Sequence, residues 1–239
     1  GEVGESMSHE VNLKNFSGKL PLFPLPHVVH FPHTILPLHI FEKRYRVMIK
    51  DVLEGERLIG MAVLQPGWEE HYEGNPTIYP VACLGRVIKT EPLPNGRSNV
   101  LLLGLKRVRI QEIVTPFPYR TAQVEIVEDS LEGLKKPELH LFKRRLLELY
   151  SELVVEYAGA ERQFPTLSRL KLEAGALADA LAASIGLSTP DLVHLLMEHR
   201  VGERFRFLEK RMVEKLRRGG PVILPPPDLP GYFRPIHLN

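Results

Sequence analysis

The amino-acid sequence predicts an α+β fold in which a mostly antiparallel β-barrel with one inserted helix precedes an α-helical bundle. From Lys19 to Asp129, short apolar segments alternate with turn residues, which is typical of strands. After Glu132–Pro137, proline and glycine become sparse and apolar residues recur every three or four positions, which is typical of helices. A chain of 239 residues, 44% of them hydrophobic and 25% charged, is long enough to bury the core that such a fold needs.

The first half contains the strand signals and one helix signal. Five prolines in and between the two opening segments remove backbone donors, so these segments belong at edges or corners of the barrel. The apolar spacing of Lys43 to Glu54, followed by Gly55, predicts the inserted helix. Asn95-Gly96 predicts a hairpin because both residues tolerate positive φ. The predicted strands are Leu20 to Leu25, Thr34 to Ile40, Arg57 to Leu64, Thr77 to Glu91, Val100 to Leu105, Arg107 to Val114 and Tyr119 to Val127.

The second half predicts four helical segments, which can pack as a bundle. The first runs from Glu138 to about Ala158, and Thr166 is expected to cap the second, whose apolar stripe ends at Ile185. Thr189, with Pro190 at the first helical position, predicts the start of a third helix that reaches His199. After a bend at Gly202, the chain is expected to continue as a helix from Glu203 to Arg218.

These signals divide the chain into four parts. Residues 1–18 are polar and aperiodic and are predicted to be disordered. Residues 19–130 form the predicted barrel subdomain and residues 131–218 the helical subdomain. Residues 219–239 contain six prolines and are predicted to be an extended arm.

Composition excludes several classes of function. A net charge of +2 is too small to indicate a nucleic-acid or anionic-membrane partner by itself. No apolar run approaches the ~20 residues of a transmembrane helix and no signal-peptide pattern opens the sequence, so we expect a cytoplasmic protein. The single cysteine, Cys83, lies in an apolar run and is expected to be an inert core thiol.

Catalytic motifs are absent, and we expect no enzyme activity, no cofactor and no metal. The Gly18-Lys19 pair lacks the remaining glycine and hydroxyl residues of a phosphate-binding loop, and no G-x-S-x-G elbow is present. Four histidines, His27, His30, His33 and His39, lie close together in sequence. Prolines interrupt any helix that would align them, so structural or surface histidines are favoured over a zinc site.

Three segments carry a resemblance to a known family. These are LPLFPLPHVVHFPHT (Leu20 to Thr34), LPLHIFEKRYRVMIKD (Leu36 to Asp51) and GLKRVRI (Gly104 to Ile110). They resemble the amino-terminal substrate-recognition domain of Lon, the ATP-dependent protease, and in particular its free-standing form without ATPase or protease. The resemblance covers about Leu20 to Leu216. It implies a PUA-like barrel followed by a helical bundle, and recognition of unfolded or tagged polypeptides or of a protease or chaperone partner.

A polypeptide-binding surface needs exposed aromatic side chains with a polar rim. The candidates are Phe41, Tyr45 and Arg46 at the inserted helix, and Trp68 and Tyr72 in the polar loop QPGWEEHYEGNP. Trp68 is the strongest candidate because a lone tryptophan in a polar loop needs something to pack against. Two alternatives remain open, since Tyr45 falls on the core-facing stripe of its helix and Trp68 is equally suited to cover the end of the barrel.

The alternative function is RNA binding by the barrel and the last helix. Residues Val201 to Arg218 contain seven basic side chains against three acidic ones. The same helix carries an apolar stripe, so its basic residues are more simply explained as a solvated face. Nucleic acid is therefore the less favoured partner.

Overall fold

The computed structural model describes residues 13–114, 118–158, 167 and 171–219. The strands and the inserted helix come first and the remaining helices follow, which confirms the predicted α+β class. The elements are β1 (Lys19–Leu25), β2 (Ile35–Ile40), α1 (Lys43–Glu54), β3 (Leu58–Val63), β4 (Val81–Pro92), β5 (Ser98–Val114), β6 (Thr121–Val127), α2 (Lys136–Ala158), α3 (Ala174–Ser184), α4 (Thr189–Met197) and α5 (Val201–Arg218).

The six strands form one mixed sheet in the order β2-β5-β4-β3-β1-β6. Strand β6 pairs with β1 and also with the second half of β5, so the pairings β5–β4–β3–β1–β6 return to β5. Of the pairings between the described strands, β1 with β3 is parallel and the other five are antiparallel. The sheet is therefore mostly antiparallel, as predicted.

The two strands predicted on either side of Lys106 are one continuous strand, β5. The register with β4 shifts at this point, with Leu84 opposite Lys106 and Gly85 opposite Gly104, so that a bulge absorbs one residue and pairing continues. The hairpin before it is confirmed, because Asn95 and Gly96 both have positive φ in the turn between β4 and β5.

Gly104 lies where the segment between β1 and β2 crosses β5. The Gly104 carbonyl accepts from the His33 amide at 2.8 Å, and a Cβ at Gly104 would lie 2.1 Å from the Phe31 carbonyl oxygen.

We expect Gly104→Ala to lower the free energy of unfolding by about 2 kcal/mol, because two backbone segments must separate. Urea denaturation measures this loss. Gly74→Ala is the matched control, since a Cβ there would meet only the His71 carbonyl oxygen at 3.4 Å; equal losses for the two variants would contradict the prediction.

The helix boundaries differ from the predictions at three points. Helix α3 begins at Ala174, while the predicted cap Thr166 lies outside the described residues. Helix α4 is capped by Ser188, whose hydroxyl accepts from the Asp191 amide at 3.4 Å, rather than by Thr189.

The third difference is the break between α4 and α5, which falls at residues 198–200 and not at Gly202. Ser130 pairs there with the extended backbone, donating to the His199 carbonyl and accepting from the Val201 amide, both at 2.9 Å. This pairing competes with helix formation, whereas Gly202 is buried inside α5.

Three hydrophobic clusters hold the fold together. The first packs the four helices α2, α3, α4 and α5 against sheet residues that include Val63, Val81 and Cys83. Cys83 is a free thiol and is buried, as predicted. The second lies among the strands, and the third is formed by α1 against the sheet. Because the first cluster draws on both halves of the chain, the boundary near residue 130 stays a prediction.

The predicted terminal segments fall largely outside the described residues. Residues 1–12 and 220–239 lie outside them. In the part of the first segment that the structure describes, Leu13 and Phe16 pack against the second cluster. Ser17 donates to the Glu56 carboxylate at 2.6 Å.

Candidate functional site

The start of α1 and the loop between β3 and β4 are joined by polar contacts. The Tyr72 hydroxyl donates to the Glu42 carboxylate. The Arg44 guanidinium donates to the carbonyls of Gly74 at 3.1 Å and Tyr72 at 3.3 Å. These bonds hold the loop against the helix, although about 30 residues separate them in sequence.

Phe41, Trp68 and Tyr72 form what we call the aromatic surface. The side chain of Phe41 is 58% exposed. The half-buried rings of Trp68 and Tyr72 meet edge to face with their centroids 5.6 Å apart. A cleft of about 530 Å³ opens beside them, lined by Phe41, Glu42, Lys43, Arg44, Tyr72 and Glu73.

The charged groups at this surface position the aromatic rings. Arg44 lies over the Tyr72 ring at 5.6 Å and over the Tyr45 ring at 4.9 Å, and its Nε lies 3.6 Å from the Glu42 carboxylate. Burial and the hydrogen bond to Glu42 raise the pKa of Tyr72 to about 12, so its hydroxyl remains a donor. Arg44 and Glu42 are thus engaged with the loop, and the exposed apolar area comes from Phe41.

Trp68 lies between the second hydrophobic cluster and Tyr72. Its ring packs against the second hydrophobic cluster, as expected of a residue that covers the strands. Its edge also faces His27 at a centroid distance of 6.2 Å and Tyr72 on the surface side. Trp68 therefore anchors the loop and contacts Tyr72, which lines the cleft.

Tyr45 and Arg46, also predicted as site residues, lie outside the aromatic surface. Tyr45 is only 4% exposed and stacks on Phe23 with centroids 4.2 Å apart, as its place on the core-facing stripe indicated. Arg46 donates to the Asn95 carbonyl at 2.7 Å and so ties α1 to the β4–β5 turn. Both side chains support the site rather than line it.

A buried ionic cluster of Arg107, Asp129, Asp179 and Arg204 was not predicted. Arg107 binds Asp179 through two hydrogen bonds of 2.7 and 3.2 Å, and Arg204 binds Asp129 through two of 2.9 and 3.2 Å. The two pairs also approach each other, with Arg107 3.7 Å from Asp129 and Arg204 3.8 Å from Asp179. Three of the four side chains are at most 2% exposed.

The cluster joins the sheet to the helices. Arg107 also donates to the carbonyls of Leu195 and Leu196 at the end of α4. Burial by itself raises the pKa of Asp129, but the hydrogen bonds and charge of Arg204, with the charge of Arg107, outweigh burial and hold the pKa below its usual range. Asp129 therefore stays ionised, and the cluster brings together two basic and two acidic side chains.

Signals for this cluster were present in the sequence. Asp179 interrupts the apolar helix ALADALAAS, and Arg204 falls on the same face of α5 as Val201 and Leu208. A charge on an apolar face must find a partner, because a buried unpaired charge is costly.

The histidines that lie close together in sequence have separate roles. The His30 ring lies 2.9 Å from the Thr34 carbonyl, and the His39 ring 3.0 Å from the Asn99 side-chain oxygen. Within the described residues, no three His, Cys, Asp or Glu side chains are arranged to hold a metal ion. No helix in this part of the chain combines the length and apolarity that crossing a membrane requires.

Comparison with known proteins identifies relatives. Relatives named Lon protease include those of Geobacter metallireducens, 32% identical over 180 residues, and Dictyoglomus thermophilum, 28% identical over 191 residues. These alignments cover 74% and 78% of this chain but only 21% and 23% of the relatives, so the chain spans less than a quarter of their length.

Two solved structures share the fold. The amino-terminal domain of the Mycobacterium avium complex Lon protease matches with a TM-score of 0.66 at 16% identity, covering 82% of this chain and 98% of that one. The Lon amino-terminal domain protein of Xanthomonas campestris matches with a TM-score of 0.55 at 22% identity, covering 85% of this chain and 99% of that one. The family model of the ATP-dependent protease La (LON) substrate-binding domain matches residues 19–214, well over half of the sequence. The chain therefore belongs to the family of the LON substrate-binding domain.

Proposed function

We propose that this chain is a non-catalytic polypeptide-recognition module that binds unfolded or tagged proteins at the aromatic surface. The observation that carries the proposal is the exposure of Phe41, which is 58% exposed and lines a cleft together with Tyr72. Membership of a substrate-binding family supports the same function. Because the relatives are named Lon protease, we propose that a protease or chaperone is the partner that receives the bound polypeptide.

Side chains, rather than backbone pairing, are the means of recognition that the sheet favours. Among the described strands, β2 pairs on one side only, with β5. Pro37 in the middle of β2 has no amide to offer an added strand. The end of β4 that extends beyond its pairing with β3 has a register shift with β5 after Val87 and ends at Pro92. Proline and bulges at edges oppose strand addition, so an exposed aromatic cleft is the better binding surface.

RNA binding is the weaker proposal, because three of the seven basic side chains of α5 are already paired with carboxylates of the described residues. Arg204 is buried against Asp129, and Arg206 pairs with Glu203. Arg211 pairs with both Asp191 and Glu214. A phosphate backbone would have to compete with these carboxylates.

We also propose that the sheet is a closed barrel of the PUA-like type. The return of the strand pairings to β5 through β6 supports closure. Closure would leave few edges for unwanted pairing.

The binding proposal is tested by fluorescence anisotropy with labelled unfolded casein. We expect Phe41→Ser to raise the Kd about tenfold, because burial of a half-exposed aromatic side chain contributes about 1.4 kcal/mol. The only tryptophan of the chain, Trp68, contacts the cleft residue Tyr72 with ring centroids 5.6 Å apart, so its emission should shift when casein binds.

The matched control is Leu141→Ser on α2, which removes an apolar side chain that is 64% exposed elsewhere on the molecule. A short RNA serves as competitor at two salt concentrations. Equal Kd values for the two variants would overturn the assignment of the surface. Displacement of casein by RNA at low salt only would favour the nucleic-acid function instead.

A further inference from the structure

We infer that the aromatic surface selects polypeptide segments in which lysine or arginine flanks bulky apolar side chains. This inference rests on the proposed function and names the class of segment that the surface takes. It follows from the distribution of charge around the cleft, which differs from that of the chain as a whole.

The loop that carries Trp68 and Tyr72 turns three carboxylates outward. A short 3₁₀ turn from Trp68 to His71 leaves Trp68 and Tyr72 half-buried against the strands. Glu69, Glu70 and Glu73 are all exposed. In the part of the chain that the structure describes, none of the three forms an ion pair. Their charge is therefore available to a bound partner.

The rest of the cleft does not neutralise these carboxylates. Glu42 and Arg44 face each other at 3.6 Å and cancel, which leaves Lys43 as the other basic residue of the lining. Of the three carboxylates, Glu73 lines the cleft, while Glu69 and Glu70 lie on the same loop, next to Trp68. The charged side chains of the lining and the loop, together with the buried Arg120 that donates to the Pro76 carbonyl of that loop, sum to −1, whereas the whole chain carries +2. The surface thus attracts cations although the chain does not.

An exposed aromatic surface beside an acidic loop complements a particular kind of polypeptide. Bulky apolar side chains of the segment cover Phe41, and flanking lysine or arginine side chains reach the carboxylates. An arginine can also lie over an aromatic ring, as Arg44 does over Tyr72. Acidic segments, nucleic acids and anionic lipids are repelled by the same loop.

Three labelled peptides with one apolar-aromatic centre, flanked by Lys, by Ser or by Glu, test this selection by anisotropy. We expect the Lys-flanked peptide to bind on the order of tenfold more tightly than the Glu-flanked peptide at low salt, with the Ser-flanked peptide between them. The difference should shrink at high salt because exposed charges are screened. The variant carrying Glu69→Lys, Glu70→Lys and Glu73→Lys should reverse the order.

A charge-matched control changes exposed carboxylates outside the cleft, with Glu54→Lys, Glu112→Lys and Glu152→Lys. This variant should keep the wild-type order. A second variant, carrying Glu69→Gln, Glu70→Gln and Glu73→Gln, should abolish the preference without reversing it. It keeps the test valid if the Lys variant does not fold.

Equal binding of the three peptides, or equal effects of the two Lys variants, would overturn the charge selection. If the Ser-flanked peptide still binds and Phe41→Ser still weakens it, the polypeptide-binding function stands without that selection. If no peptide binds at any salt concentration, both the selection and the proposed function fail.

Discussion

Replacing Asp179 by alanine is expected to lower the free energy of unfolding by about 3–5 kcal/mol, because it leaves the Arg107 guanidinium buried without its carboxylate. Arg107 is 2% exposed and Asp179 is 1% exposed, so water cannot take the place of the lost partner. Asp129 lies 3.7 Å from Arg107, but its carboxylate is already bonded to Arg204. Urea denaturation followed by circular dichroism measures the loss.

The exposed pair of Arg144 and Glu148 on α2 provides the control, with side chains 72% and 53% exposed. Glu148→Ala should cost less than about 1 kcal/mol because water solvates both charges. Replacing Arg107 and Asp179 together by apolar residues should cost less than Asp179→Ala alone, since no unpaired charge remains. Losses of similar size for Asp179→Ala and Glu148→Ala would mean that the cluster does not stabilise the fold.

Local patterns in the sequence were sufficient to predict some elements of the fold. Helix α1 has the predicted bounds, Lys43–Glu54, because its apolar spacing and Gly55 act within one segment. The β4–β5 hairpin followed from Asn95-Gly96 for the same reason, since the two residues themselves adopt the positive φ that the turn requires.

Other features depend on contacts between distant residues and could not be predicted from local patterns. The parallel pairing of β1 with β3 joins Leu22 to Gly60 across the inserted helix. The break before α5 arises from Ser130, about 70 residues earlier in the chain. The buried Arg107 of β5 is paired with Asp179, which lies 72 residues later in the chain.

The candidate site was predicted in its parts but not in its assembly. Exposed Phe41 and the half-buried Trp68 and Tyr72 were found from residue type and loop composition. Their proximity depends on the bonds that Tyr72 makes to Glu42 and that Arg44 makes to the loop. Neither bond has a signature in a single sequence, so two separate candidate segments could not be joined into one surface.

Lowering the pH from 7 to about 4.5 is expected to destabilise the chain through His30. The imidazole is 2% exposed, its Nδ1 has no hydrogen-bond partner, and its Nε2 lies 2.9 Å from the Thr34 carbonyl. Burial lowers the pKa of His30 from 6.5 to about 4, against a smaller opposing effect of the bond to Thr34. As the pH falls below 6.5, the unfolded chain binds a proton that the folded chain does not bind, so the folded state loses stability.

The loss through His30 should approach about 3 kcal/mol near pH 4, at about 1.4 kcal/mol per pH unit, and should vanish above about pH 7. His30→Gln retains a donor for the Thr34 carbonyl but has no proton to bind, so its stability should fall less steeply between pH 7 and 4.5. His33 adds to the wild-type loss, because burial lowers its pKa too, and this contribution should remain in the variant.

Urea denaturation at several pH values measures the slope of stability against pH. His140→Gln, at an exposed position on α2, should keep the wild-type slope. An unchanged slope in His30→Gln would mean that the imidazole has the same pKa in the folded and unfolded chains, so that burial does not lower it.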